Sequence, residues 1–139
     1  MDQPKNQKFF AGGFLYNSER QEVLLQKRDG KTPINPYKWG IFGGTSEEGE
    51  TPQQTFLREV KEELCITLPD DTAHALNDFF KEKEGYHRYG FYAVSNLKKS
   101  EMHLTEGEDF DWIPLAKVLD YDLTDSTRKD LEKFLESKV

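Results

Sequence analysis

Cysteine is almost absent from this chain: Cys65 stands alone in 139 residues. An internal disulfide is excluded, and a reducing compartment suits the chain. Long apolar runs are missing as well. No stretch approaches the roughly 18 residues that a membrane-spanning helix needs, so no membrane partner is expected. The opening MDQPKNQK is not followed by an apolar segment long enough for a secretory signal, and the expected localisation is cytoplasmic. Positive charge is in short supply: 19 Lys and Arg stand against 26 Asp and Glu, for a formal net charge of −7. A nucleic-acid polymer needs a Lys/Arg surface for its phosphates, so that class of partner is not expected. A small phosphorylated substrate is not excluded, because a bound cation can bring the positive charge. Internal repeats and low-complexity tracts are also lacking. Aromatics are not lacking; at 13% they argue against disorder. The length fits one domain, residues 1–139, with a single substantial core.

Taken in order, Lys8 to Tyr16 (KFFAGGFLY) reads as an aromatic-rich strand, and the Gly12-Gly13 pair inside it predicts a bulge or a close backbone approach. Asn17 to Arg20 makes a turn, and Val23 to Arg28 (VLLQKR) returns as the second arm of a hairpin. Asp29 to Lys38 holds Gly, Asn and two Pro and must be a loop. Trp39 to Phe42 is a short strand that ends at Gly43-Gly44. Ala73 to Lys83 and Tyr86 to Ser95 form an antiparallel pair around Glu84-Gly85. On the second of these, Tyr86, Arg88, Gly90, Tyr92 and Val94 share one face, and His87, Tyr89, Phe91 and Ala93 the other. Lys98 to Gly107 is polar and reads as a loop, Phe110 to Ile113 as a short strand, and Pro114 to Leu119 as a helical turn. Thr124 or Asp125 can cap a last helix bearing Leu131, Phe134 and Leu135. The sum is a mixed β-sheet with helices on its faces, an α/β fold.

The chemistry concentrates between Gly44 and Ile66 (GTSEEGETPQQTFLREVKEELCI). Thr51 can serve as N-cap, Pro52 suits the first helical position, and Gln54 stands where a capping box needs Glu or Gln. At about 100° per residue, Phe56, Leu57, Val60 and Leu64 form one stripe, and Glu59, Glu62 and Glu63 a second face. Like charges at these spacings repel, and Arg58 alone cannot neutralise three carboxylates. Hard divalent cations such as Mg²⁺ prefer carboxylate oxygens and leave water positions open for substrate phosphates. Taken alone, the same glutamates read as a solvated acidic face.

The wider spacing decides between them. Gly44, five residues, Glu50, seven residues, Arg58-Glu59-Val60, one residue, Glu62-Glu63, one residue, Cys65-Ile66 resembles the Nudix box, GX5EX7REUXEEXGU with U aliphatic. The final glycine is the one departure. Cys65 replaces it at a helix end where a left-handed backbone is often required, at a cost of about 1–2 kcal/mol.

The resemblance implies an α/β/α sandwich and a metal-dependent pyrophosphohydrolase of the MutT-like kind. It assigns Glu59, Glu62 and Glu63 to Mg²⁺ or Mn²⁺, with the Gly43 carbonyl as a further oxygen ligand. Arg58 would orient the carboxylates together with Glu50. Glu106-Gly107 followed by Trp112 is similar to the MutT-type E-G…W segment, which makes Glu106 the general base or an extra metal ligand, with Glu108 in reserve. Arg28, Gly44 and Glu50 complete the expected substrate-binding set. Asp125 falls near where MutT-like enzymes read the base. The implied substrate is a small nucleotide, either a nucleoside triphosphate or a nucleotide sugar, and a homodimer is possible. A Nudix-fold sensor that binds a nucleotide without cleaving it is the alternative. An RNA-decapping relative fits poorly with the acidic balance.

Overall fold

The computed structural model describes residues 7–31 and 33–137. Seven strands make one sheet: β1 Phe10–Asn17, β2 Glu22–Lys27, β3 Trp39–Gly40, β4 Phe42–Thr45, β5 Ala73–Lys81, β6 Tyr86–Val94 and β7 Asp109–Pro114. Two helices, α1 Pro52–Leu64 and α2 Asp125–Ser137, cover it. The strand path is β3-β2-β1-β6-β5, with β4 also on β1 and β7 also on β2. Only β1 and β6 run parallel, so the sheet is mixed, as the sequence predicts. Among the described residues no helix is long and apolar enough to cross a membrane.

The hairpin forms where the sequence predicts it. Asn17 Oδ1 accepts hydrogen bonds from the N–H groups of Glu19 and Arg20, and Gln21 turns the chain with φ 57°. Both faces of β1 and β2 are buried. Ala11, Leu15 and Leu24 point to one cluster with Phe56, Val60 and Leu64 of α1. Phe14, Tyr16, Val23 and Leu25 point to the other, with Leu131 and Phe134 of α2. Two buried faces demand a helix on each side, which accounts for the three layers.

The segment read as one short strand, Trp39 to Phe42, is two. β3 pairs with β2 at Gln26 and Lys27, and β4 pairs with β1 from Phe10 to Gly13. Ile41 lies at the crossing, where the chain passes from one partner to the next. The Gly12-Gly13 pair marks a close approach: a methyl group on Gly12 would lie 2.5 Å from the Phe42 carbonyl oxygen, and one on Gly13 2.1 Å from that of Phe91. A second difference concerns Pro114. It ends β7 opposite Glu22, and only Val118–Asp120 winds into a 3-10 turn. A terminal strand position needs no ladder N–H, so proline is accepted there.

Candidate active site

Helix α1 begins as its sequence dictates. Thr51 accepts from the Gln54 N–H while the Gln54 side chain accepts from the Thr51 N–H, closing a capping box. Phe56, Val60 and Leu64 are buried, and Leu57 is half-buried. The helix stops at Cys65, which takes the left-handed conformation (φ 59°, ψ 36°) and donates its N–H to the Lys61 carbonyl. A non-glycine residue thus occupies the strained position itself, and the helix ends where a glycine would have ended it.

Arg58 organises one half of the acidic face. Its Nε donates to Glu50 at 2.6 Å, and Nη1 reaches Glu59 at 2.8 Å and Glu62 at 2.7 Å. Nη2 donates to the Thr45 carbonyl and to Glu50. Thr55 Oγ1 and the Glu47 N–H also donate to Glu50. The hydrogen bonds from Arg58 hold the Glu50 carboxyl down at about 2, and the same bonds keep the guanidinium protonated. Gly44 leaves room for this cluster, since a methyl group there would sit 2.6 Å from the Glu59 carboxyl carbon.

Glu63 lives differently. It is 6% exposed. One oxygen accepts from Gln26 Nε2 at 3.0 Å, and no donor reaches the other, Oε2. The Glu59 carboxylate is a close neighbour, and two carboxylates so placed disfavour both being ionised. Burial, then Glu59 and the nearby charge of Glu106, push the Glu63 carboxyl up to about 9.

The segment between β6 and β7, from Met102 to Glu108, supplies Glu106. It docks on the helix end: His103 N–H donates to the Leu64 carbonyl, Thr105 N–H to that of Glu63, and Thr105 Oγ1 to that of Glu62. The last carbonyls of a helix lack partners within it, and this loop satisfies three of them.

Gly43, Glu63 and Glu106 line one cleft of about 1170 Å³. Arg28 and Asp125 line it too. The Arg28 Nε donates to the Ile34 carbonyl, and Ile34 lines the cleft beside it. Asp125 is the first residue of α2, and Thr124 is its cap, accepting from the Thr127 N–H. Gly44, Glu50, Arg58, Glu59 and Glu62 are not among the residues that line the cleft. Glu62 is 55% exposed and turned to Arg58. Glu108 pairs with Lys27, away from the cleft. Trp112 donates Nε1–H to the Leu97 carbonyl and packs against the α1-side core, while Trp39 packs edge-on to Tyr121.

Among the described residues no three His, Cys, Asp or Glu side chains already converge as metal ligands. Glu59 and Glu62 are turned to Arg58. The donor set still fits a divalent cation. A buried carboxyl oxygen without a donor, beside a second carboxylate, is a place where a cation can displace a proton, and Mg²⁺ takes one or two carboxylates with water and phosphate in its remaining positions. Glu63 and Glu59 are the residues that could hold it, with Glu106 and the Gly43 carbonyl on the same cleft wall as Glu63.

Gln26, Thr105 and Asp130 escape the sequence reading, and Arg88 enters it only as a strand residue near the expected pocket. Gln26 is a polar residue closing the apolar run Val23 to Leu25, and that interruption was the available signal. Thr105 gave none. Arg88 and Asp130 form a buried bidentate pair (3.0 and 2.6 Å) between β6 and α2, and Arg88 reaches the cleft wall.

Comparison with known proteins agrees with this geometry. The NUDIX domain family model matches residues 9–136. Nucleoside triphosphatase NudI of Escherichia coli strain K12 is 28% identical over 118 residues, covering 78% of this chain and 84% of the relative. The crystal structure of a MutT protein from Methanosarcina mazei Go1 superposes with a TM-score of 0.74 at 21% identity, covering 99% of each chain. The NUDIX domain of Shewanella oneidensis NrtR, solved with ADP ribose, gives 0.73 at 21% identity, covering 99% of this chain and 91% of that one. The chain belongs to the NUDIX family and is an enzyme of that family, a pyrophosphohydrolase.

Proposed function

We propose that this single domain hydrolyses a nucleoside triphosphate or a nucleotide sugar at a phosphoric anhydride, with Mg²⁺ or Mn²⁺ as cofactor. The observation that carries the reading is Glu63: buried, half-satisfied, next to Glu59, and open to a cleft large enough for a nucleotide. A divalent cation bound there lowers the pKa of water and offsets charge on the phosphates. Glu63 and Glu59 would hold it, Arg58 and Glu50 fix Glu59, and Glu106 would receive the proton of the attacking water. The water oxygen bonds to phosphorus as the bridging P–O bond breaks, and a nucleoside monophosphate leaves with pyrophosphate or a phosphorylated group. Arg28 meets the phosphates at the mouth. The likeness to a nucleoside triphosphatase at 28% identity supports the triphosphate class first.

The test is phosphate or pyrophosphate release from a nucleotide panel with and without Mg²⁺, for the native protein and Glu63→Gln. Turnover that needs the metal and collapses in the variant is expected. Metal-independent turnover, or an active Glu63→Gln, refutes the assignment. Product analysis in ¹⁸O-labelled water then identifies the phosphorus attacked.

A further inference from the structure

Gln26 stands where three parts of the site meet, beside a fourth. It lies in β2, its side chain is buried, and its Nε2 donates twice: to Glu63 Oε1 at 3.0 Å and to the Ile41 carbonyl at 3.1 Å. Ile41 is the residue at which the chain crosses from β2 to β1, so its carbonyl points away from the regular ladder and needs a donor from elsewhere. On the other side, a methyl group at Gly107 would fall 2.9 Å from Gln26 Oε1, so the absence of a side chain there gives the amide its place. Gly107 follows Glu106 directly. One side chain therefore ties together β2, the β3–β4 crossing and helix α1, against the loop bearing Glu106.

The chemistry of the donor matters as much as its position. Arg58 orients Glu59 by a charged hydrogen bond and neutralises part of its charge. An amide orients a carboxylate without neutralising it. It holds Oε1 and leaves Oε2 without a donor. We propose that Gln26 is a neutral positioning residue for the reaction, one that fixes the rotamer of Glu63 without bringing a positive charge that would compete with the divalent cation. This rests on the metal-dependent reading above. Partners one step removed from a metal typically change its affinity by about 10- to 100-fold when lost.

Two variants separate this role from a merely structural one. Gln26→Met keeps the length and removes the donor. Gln26→Lys keeps a donor for both acceptors but adds a charge beside Glu63. Mn²⁺ alone is titrated into each protein and followed by electron paramagnetic resonance. Unfolding of the metal-free proteins is followed by circular dichroism. kcat and KM are measured with the nucleotide that the native protein cleaves fastest. In Gln26→Met, Mn²⁺ affinity and kcat should each fall about tenfold or more with KM for the nucleotide within twofold. In Gln26→Lys the metal-free protein should melt at or above the native temperature and yet bind Mn²⁺ at least about tenfold more weakly.

A structural role alone predicts that the lysine variant behaves as the native protein does. Mn²⁺ affinity within twofold of native in Gln26→Lys, or in a folded Gln26→Met, overturns the inference. Should the methionine variant fail to fold, the lysine variant decides. If the native protein itself binds no Mn²⁺, the functional reading fails and takes this inference with it. Native binding with unaffected variants removes the inference alone.

Discussion

Glu63 and Asp130 are both carboxylates inside the fold, 6% and 1% exposed, with opposite surroundings. Asp130 receives both arms of the Arg88 guanidinium and a third hydrogen bond from Asn77 at 3.3 Å. Arg88 in turn lies near the rings of Phe10 and Phe79, its centre 5.9 and 5.4 Å from theirs. Every charge there has its counter-charge. Glu63 has one amide, no cation of its own, and two carboxylate neighbours. A chain selected only for stability would treat the second group like the first. The contrast marks the Asp130 pair as a strut between β6 and α2, and Glu63 as a group kept unsatisfied for something that arrives from outside.

The sharpest way to break the comparison is to neutralise each carboxylate in turn. Glu63→Gln should lower kcat by about 10³-fold, mid-range for a positioned catalytic group. It should not unfold the protein, because an amide at that position can donate to Glu59. Steady-state kinetics with circular dichroism as control checks both halves. A variant that unfolds would make Glu63 a second strut.

At the other site the effect should appear in stability. Arg88→Met leaves Asp130 buried with only Asn77 as donor, and breaking such a pair costs about 3 kcal/mol or more. Urea denaturation reads it. The double variant Arg88→Met with Asp130→Leu should be less damaged than Arg88→Met alone, since it leaves no orphaned charge. If the double variant is the worse one, the pair is not the closed unit that its hydrogen bonds describe.

Protonation gives a milder test. The folded Glu63 carboxyl sits at about 9 against an ordinary value of 4.5. Below 4.5 it is protonated folded or unfolded and costs nothing. Between 4.5 and 9 the folded state holds a proton that the unfolded state has released, so stability is lost as pH rises through that window. Glu50 has the opposite sign: with a folded value of about 2, its contribution is present above 4.5 and lost as pH falls toward 2. In metal-free protein the melting temperature of Glu63→Gln should therefore match the native one near pH 4.5. It should exceed it by pH 8 by about 4 °C, the shift that about 1 kcal/mol produces in a domain of this size. Mg²⁺ should close that gap, because a cation takes the proton's place. Thermal melts across pH, with and without Mg²⁺, decide; a gap constant with pH refutes the raised value.

How much of this was legible beforehand follows the distance between partners. The capping box of Thr51 and Gln54, the hairpin turn at Asn17 and the two faces of β6 are local, and residue type with spacing specifies them, whereas the left-handed turn at Cys65 runs against its residue type. The carboxylates, their box and Arg58 lie within one helix and its approach, so they were legible too. What they meet was not. Gln26 and Glu63 are 37 residues apart, and Arg88 and Asp130 are 42 apart. Only the sheet brings them together, and no residue type announces it. The polar loop from Lys98 to Gly107 looked like a connection. Its task is to satisfy the end of α1 and to set Glu106 beside Glu63, a result of backbone hydrogen bonds that composition does not encode.

The smallest effect tests how complete the Asp130 site is. Asn77 is its third donor, and it lies next to the irregularity between Ala75 and Asn77 in β5. Its hydrogen bond to Asp130 is the longest of the three. Asp130 keeps both bonds from Arg88 when Asn77 is lost, so no buried charge is orphaned. Asn77→Ala should therefore cost only about 0.5 kcal/mol, the low end for one hydrogen bond, in urea denaturation. Turnover and Mn²⁺ affinity should stay at native values, because nothing in this pair reaches Glu63. A loss of several kcal/mol would mean that Arg88 alone does not satisfy Asp130. A loss of Mn²⁺ affinity would mean that the two carboxylate sites communicate through the sheet, and their contrast would then describe one system rather than two.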